Sequence, residues 1–274
     1  MSVQKLEQLR ALLESFGSCV VAYSGGVDSV FLARVAREVL GEKSLAVIAD
    51  SPSLPRQELK EALDIAKQFE IPVRVVRTAE FDNPAYLANP VNRCYFCKHE
   101  LFSELTPIAR SGGFAVIAYG ENVSDEGDVR PGAQAAQEFA IRAPLKEVGL
   151  TKAEIRELSA RLGLPTSHKP QMACLSSRVP YGEAVTPEKL RMIEQAEELL
   201  RNLGFREVRV RHHHPDLKQR PLARIEVGLD EISRLVGEGT AAQVATALRQ
   251  IGYAYVTVDL LGYRRGSANE RAKE

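Results

Sequence analysis

Apolar residues follow two rhythms in this chain. Short, largely apolar runs at 19–23, 44–49 and 114–119 have the length and β-branched content of buried strands, and the valine-rich 73–77 reads as a further strand. Between them apolar positions recur at helical spacing, over 4–16, from Val27 through Val30, Phe31, Leu32 and Val35, over about 56–69, and from Lys98 to about Ala109. Strand and helix alternate at intervals that suit parallel crossovers. The pattern therefore predicts an α/β fold, a parallel sheet with helices on both faces. A short strand is expected at 139–141, and Arg130-Pro131-Gly132 reads as a turn.

The rhythm changes after residue 150. Thr151-Lys152-Ala153-Glu154 is a capping box that opens a helix ending at Gly163, with a structural role expected for it. Residues 165–181 have no periodicity, and irregular stretches of that length inside compact proteins are usually functional. Thr186 caps a further helix with Pro187 at its first position. Two strands, two helical stretches and a last strand follow, an αββαβ order that predicts a smaller α+β domain. The domains expected are 1–180 and 181–262, followed by a disordered tail at 263–274.

Composition narrows the classes. Lys+Arg and Asp+Glu number 36 each in 274 residues. A zero formal charge argues against a general nucleic-acid binder. No apolar run reaches membrane-spanning length, which argues against a membrane partner. Four cysteines without an export signal suggest reduced thiols in a cytoplasmic protein.

The chemistry centres on Ser24-Gly25-Gly26-Val27-Asp28-Ser29. It follows a strand and opens a helix, which aims backbone N–H groups at one point in front of the helix. Gly25 and Gly26 let a phosphate approach the backbone, and the Ser24 and Ser29 hydroxyls add donors. Asp28 suits the helix dipole but needs a cation beside phosphate, so it reads as a magnesium-side residue. Ligands of such sheets sit beyond the carboxyl ends of the strands. That places Asp50 and Ser51 after the second strand, and Gly120, Asp125, Asp128 and Arg130 after the fourth, at the ligand edge. Asp125 and Asp128 suit a ribose or a metal equally well as a solvated loop.

Cys94-Tyr95-Phe96-Cys97 fits a redox couple, half a zinc site, or two cluster ligands. Cys174 lies in the irregular segment, and three thiolates suit an iron–sulfur cluster with one open iron. Cys19 reads as a core residue. His212-His213-His214 reads as a basic rim, since alternate strand residues face opposite ways. The same alternation puts Arg209 and Arg211 on one face, a clamp for phosphate or carboxylate.

The glycine loop resembles the pyrophosphate loop of the N-type ATP pyrophosphatases. Together with Asn92-Arg93-Cys94-Tyr95-Phe96-Cys97-Lys98, Asp128-Val129-Arg130-Pro131-Gly132, Ala143-Pro144-Leu145-Lys146, Leu150-Thr151-Lys152, Ala173-Cys174-Leu175-Ser176-Ser177-Arg178 and Tyr181-Gly182, in that order, it resembles the LarE family of ATP-dependent sulfur transferases, over nearly the whole chain to Leu260. The resemblance implies an adenine nucleotide alpha hydrolase-like fold and a catalytic set of Cys174, Cys94, Cys97 and Asp28. It implies ATP and Mg2+ held by Ser24, Gly25, Gly26, Asp28, Ser29, Asp50, Ser51, Gly120, Asp125 and Arg130. A substrate phosphate would lie on Arg178, Arg209 and Arg211. It further implies a small nucleotide substrate, a carboxylate of pyridinium-3,5-biscarboxylic acid mononucleotide, which is adenylated and then converted to a thiocarboxylate. Single-cysteine members give up the sulfur of the residue matching Cys174. Three cysteines match the branch with a [4Fe-4S] cluster, in which sulfide or another donor supplies the sulfur. Self-association, to a hexamer, is a further expectation. An RNA-thiolating enzyme, an amide-forming synthetase of the NAD or GMP type and an ATP-sensing module remain as alternatives.

Overall fold

The computed structural model describes residues 2–125, 131–170, 173–214 and 220–264. Asp128, Arg130 and the tail from residue 265 onward fall outside that set. The chain forms two units, one of residues 1–80 and 92–172, the other of residues 81–91 and 173–274. The domain expected at 1–180 thus overlaps both, because 81–91 and 173–180 belong with the second.

The first unit begins with α1 (Ser2–Phe16), β1 (Cys19–Ala22), α2 (Val27–Leu40), β2 (Ser44–Asp50), α3 (Arg56–Gln68) and β3 (Val73–Arg77). The short α4 (Pro84–Leu87) lies in the inserted stretch of the second unit. The first unit resumes with α5 (Arg93–Gly112), β4 (Val116–Tyr119), α6 (Pro131–Glu138), the short α7 (Pro144–Glu147) and α8 (Lys152–Arg161). Its four strands are all parallel, in the order β3-β2-β1-β4. Alternate β1 residues feed two cores. Cys19 and Val21 pack with apolar residues of α1, α2, α3 and α8, whereas Val20 and Ala22 pack with Phe102 and Leu105 of α5 and Ala135 and Ala136 of α6. Continuous apolar strands are what a sheet covered on both faces requires. Cys19 is the expected core residue: it is fully buried, and burial pushes its thiol up to about 12.

Two local readings change. Residues 139–141 are not a strand: α6 runs to Glu138, Ala140 has φ +52°, and Arg142 alone bridges Ala118. Pro131 opens a helix and not a turn, its fixed φ suiting the first helical position. The capping box on α8 is present, with Glu154 N–H donating to the Thr151 hydroxyl and Thr151 N–H to the Glu154 carboxylate.

The second unit carries α9 (Pro187–Asn202), β5 (Val208–His213), β6 (Leu222–Val227), α10 (Ile232–Val236), α11 (Glu238–Ile251) and β7 (Tyr255–Val258). Its sheet, β5-β6-β7, pairs β5 antiparallel and β7 parallel to β6. Val208, Val210, Ala223, Ile225 and Val227 form a core with α9 and α11. Alternation sends Arg209, Arg211, Arg224 and Glu226 to the opposite face. Among the described residues no helix is long and apolar enough to cross a membrane.

Candidate functional site

The strand order fixes where a ligand can sit. From β1 the chain steps to β2 and β3 on one side, then returns to place β4 on the other. The crevice between the carboxyl ends of β1 and β4 is therefore the switch point of the sheet, the usual ligand position in open α/β folds. The glycine loop leaves β1 at that place. Gly25 sits at φ +71°, where a Cβ would lie 2.6 Å from the Ala62 Cβ of α3, so both its conformation and its packing call for glycine. Gly26 is the N-cap of α2 and supplies no side-chain cap, which leaves the first N–H groups of the helix facing the crevice. The two hydroxyls expected to donate meet each other: Ser24 Oγ and Ser29 Oγ are 3.0 Å apart. Ser29 also accepts from Ser24 N–H at 3.1 Å and donates to Gly26 C=O at 3.1 Å. The loop is thereby held in shape before any ligand arrives.

Gly120 closes the other wall. A Cβ there would come within 3.0 Å of Ser29 N and 3.1 Å of Asp28 Cβ, so the end of β4 lies directly on the first turn of α2. The Asp28 side chain is mostly buried, and its Oδ1 has no hydrogen-bond partner among the described residues. Its Oδ2 accepts from Lys152 Nζ at 2.5 Å. Burial pushes the Asp28 carboxyl above the usual range and Asp125 adds to that, while Lys152 and Arg156 oppose it. Lys152 is a site residue that the sequence pattern does not reveal. It stands at the first position of α8, a helix expected to be structural, and its partner is 124 positions away.

The remaining predicted nucleotide residues gather less tightly. Asp125 accepts from Asn122 N–H and Nδ2 at 3.2 and 3.0 Å, shaping the loop after β4. Asp50 at the end of β2 pairs with Arg56 at 2.5 Å, and the buried Ser51 hydroxyl accepts from Ser53 N–H at 3.2 Å. Beyond them, Lys169 lies between Glu58 at 2.6 Å and Glu61 at 3.0 Å on α3. The helix that carries these two carboxylates is the one that Gly25 packs against.

Cys94 is exposed and Cys97 half-buried, both in the first turns of α5 in the first unit. Cys174 is exposed and belongs to the second unit, where it is the N-cap of a short 3-10 turn, Leu175–Arg178. Among the described residues no three Cys, His, Asp or Glu side chains converge closely enough to hold a metal ion.

In the second unit the arginines predicted to bind phosphate are all nearly buried. Arg211 is forked with Glu226 at 3.0 and 2.9 Å. Arg178 is forked with Glu197 at 2.8 and 3.1 Å and is wholly enclosed. Burial opposes the Arg178 charge, but Glu197 holds its guanidinium above its ordinary range. Arg209 differs. Its contacts are the Val208 carbonyl at 2.7 Å and the Tyr263 ring 5.0 Å away, and no carboxylate pairs with it among the described residues. Burial, then the Arg178 charge, push its guanidinium below the usual range. The expected basic rim does not hold for His212, which burial keeps neutral, although neighbouring histidines divide as alternation requires. His212 is buried against the Tyr253 hydroxyl at 3.2 Å, while His213 accepts from Arg224 at 3.3 Å on the other face.

Comparison with known proteins agrees with this geometry. The NAD synthase family model matches residues 4–87, from α1 through the glycine loop and β3 to the end of α4. An uncharacterized protein of Synechocystis sp. is 44% identical over 269 residues, 98% of each chain. The pyridinium-3,5-bisthiocarboxylic acid mononucleotide synthase of Lactiplantibacillus plantarum is 33% identical over 267 residues, 97% of this chain and 94% of that one. A component of the glutamine-hydrolyzing GMP synthase of Halorubrum lacusprofundi is 26% identical over 201 residues, 65% of this chain and 62% of that one. Identity of 33% over almost the full length of both chains, on a parallel sheet with a pyrophosphate loop at its switch point, makes this chain a member of the LarE family of the pyrophosphate-loop enzymes.

Proposed function

We propose that this protein is an ATP-dependent sulfur transferase that converts a carboxylate of pyridinium-3,5-biscarboxylic acid mononucleotide to a thiocarboxylate, in the assembly of the nickel-pincer nucleotide cofactor. The observation that carries the reading is the crevice of Gly120 and the uncapped α2, with a buried, half-partnered Asp28 in it. The orphaned Asp28 Oδ1 fits a divalent cation, and Mg2+ there would neutralise charge on the ATP phosphates. The substrate carboxylate attacks the α-phosphorus, the bond to the β-phosphate oxygen breaks, and pyrophosphate leaves. The α2 N–H groups and Lys152 stabilise the charge that builds on the leaving group. A sulfur nucleophile then adds to the acyl carbon and AMP departs with the carbon–oxygen bonding pair. Arg209 holds the substrate phosphate, since it alone of the three expected arginines lacks a carboxylate partner among the described residues.

Cys174 serves the sulfur step, by one of two routes. If it attacks directly, loss of its Cα proton and cleavage of its Cβ–S bond release the thiocarboxylate and leave dehydroalanine. Cys94, Cys97 and Cys174 are the three thiolates that an iron–sulfur cluster would use, although among the described residues no three such side chains converge on a metal position. Donor chemistry supports that cluster, which would supply sulfide and spare Cys174. We favour this route for a three-cysteine chain. The test is anaerobic incubation with ATP, Mg2+, sulfide and the biscarboxylate nucleotide. Formation of AMP, pyrophosphate and the thiocarboxylate supports the reading, and pyrophosphate without a sulfur-containing product defeats it. Cluster absorbance with an unchanged Cys174 mass selects the cluster route, and loss of H2S from Cys174 selects the sacrificial one. The NAD synthase and GMP synthase matches favour an amide-forming synthetase as the second reading. Full product formation by Cys174→Ala would select it.

A further inference from the structure

Cys174 and Arg178 bound one short turn. Cys174 is exposed at its start, and Arg178, at its end, has no exposed surface. Arg178 does two things at once. Its Nε and Nη2 fork onto Glu197, and its Nη1 turns back to the carbonyl oxygens of Ala173 at 2.6 Å and Cys174 at 2.9 Å and to the Ser177 hydroxyl at 3.1 Å. The Ser177 hydroxyl donates to the same Cys174 carbonyl at 2.8 Å. Glu197 is itself fixed by Val210 N–H of β5 at 3.1 Å and Arg201 at 2.6 Å. On the far side of the turn, Arg211 donates to the Ser177 carbonyl at 2.9 Å. Two guanidiniums thus hold the backbone carbonyls of Ala173, Cys174 and Ser177, in the segment that presents the thiol. Both guanidiniums are locked to carboxylates, so the turn is tied to α9, β5 and β6.

A buried ion pair is weak evidence for stability, because desolvation offsets much of its attraction. Its geometric effect is stronger: a planar fork fixes direction as well as distance. We infer that Arg178 is a positioning residue for the Cys174 thiol and not a ligand of the substrate phosphate. This rests on the reading that the Cys174 thiol takes part in sulfur delivery, as donor or as cluster ligand. The guanidinium has no face left for a phosphate, and every contact it makes on the turn is to a group within five residues of itself.

The test uses the full chain and two variants. Arg178→Lys keeps the charge but cannot hold a fork and two carbonyls together. Ser177→Ala removes one bond to the Cys174 carbonyl and leaves the Arg178–Glu197 pair intact. Three readouts are followed: Cys174 alkylation by iodoacetamide, mapped by peptide mass against Cys94 in the same sample; KM for the nucleotide substrate; and thiocarboxylate formation beside pyrophosphate release. Arg178→Lys should keep KM within about twofold and keep pyrophosphate release, while thiocarboxylate formation falls about 10- to 100-fold, the penalty for a reacting group displaced by an ångström or so. The Cys174 to Cys94 alkylation ratio should change severalfold in Arg178→Lys and in the same direction, by less, in Ser177→Ala. A KM raised more than tenfold with turnover kept would make Arg178 a phosphate ligand and overturn the inference. An unchanged alkylation ratio would overturn it as well, and Ser177→Ala alone decides this if Arg178→Lys does not fold. Thiocarboxylate formation by Cys174→Ala would instead defeat the sulfur reading, while the alkylation ratios still report whether Arg178 sets the thiol's position.

Discussion

Lys152 Nζ stands 2.5 Å from Asp28 Oδ2, joining the first turn of α8 to the first turn of α2. The pair sets the charge at the mouth of the crevice. Burial raises the Asp28 carboxyl, and Lys152 is the strongest influence in the other direction. Removing the ammonium in Lys152→Met should raise it further, since an adjacent opposite charge holds a carboxyl down. The acid limb of the pH profile for pyrophosphate release should then move to higher pH. Asp28→Asn should lower pyrophosphate release about 100-fold or more at every pH, as expected for loss of a group that holds charge-neutralising cations. A wild-type acid limb in Lys152→Met would show that this carboxylate does not govern the reaction.

Gly25 has no room for a side chain. Gly25→Ala meets both a positive φ and the Ala62 methyl at 2.6 Å. The combined strain and overpacking should cost about 1–3 kcal/mol. The expected result is a lower Tm together with weakened ATP binding by calorimetry. Gly113→Ala, also at positive φ but with open space around it, should lower Tm by less and leave ATP binding unchanged.

Arg209 predicts a separation of affinity from turnover. A charge-assisted bond to phosphate contributes about 1.5–3 kcal/mol, so Arg209→Ala should raise the substrate KM roughly 10- to 100-fold and keep pyrophosphate release at saturation. Because the guanidinium is buried beside Arg178 without a carboxylate of its own, its removal should not lower Tm. A fall in Tm with an unchanged KM would reassign it to packing against Tyr263.

His212 predicts a pH dependence of stability. Burial, aided by the charges of Lys189, His214 and His213, lowers it from the ordinary 6.5 to about 3. In the unfolded chain it takes up a proton below 6.5, while in the folded chain it stays neutral down to about 3. Stability from this residue is therefore full above pH 6.5 and falls with pH through that window, by about 1.4 kcal/mol per unit. His212→Asn should unfold with a shallower pH slope between about pH 7 and 5 in urea titrations. Equal slopes for the two proteins would refute the assignment.

The glycine loop, the parallel order of its strands and the capping box can be read from the chain because each depends on neighbours within a few residues or on the rhythm of strand and helix. Lys152 cannot. A lysine at the first position of a helix reads as solvated surface, and only the return of α8 over the switch point gives it Asp28 as a partner. Alternation places Arg209 and Arg211 on one face of a strand, but it says nothing of which guanidinium already has a carboxylate. That difference comes from cross-strand register, which sets Arg209 opposite Glu226 and yet leaves Glu226 forked with Arg211. Arg178 carries a phosphate role by resemblance alone, and its enclosure depends on Glu197 from a different helix.

The bare start of α2 has a thermodynamic corollary. Helices commonly satisfy their leading amides with a Ser, Thr, Asp or Asn side chain, and this one offers a glycine, which leaves those amides without a side-chain cap and ready for a phosphate. Occupancy and cohesion of the first unit are then one linked equilibrium, in which ATP at about a hundred times its Kd should add about 2.7 kcal/mol to the resistance of that unit to unfolding. Hydrogen exchange at Val27 and Asp28 should slow first, ahead of any amide in the second sheet.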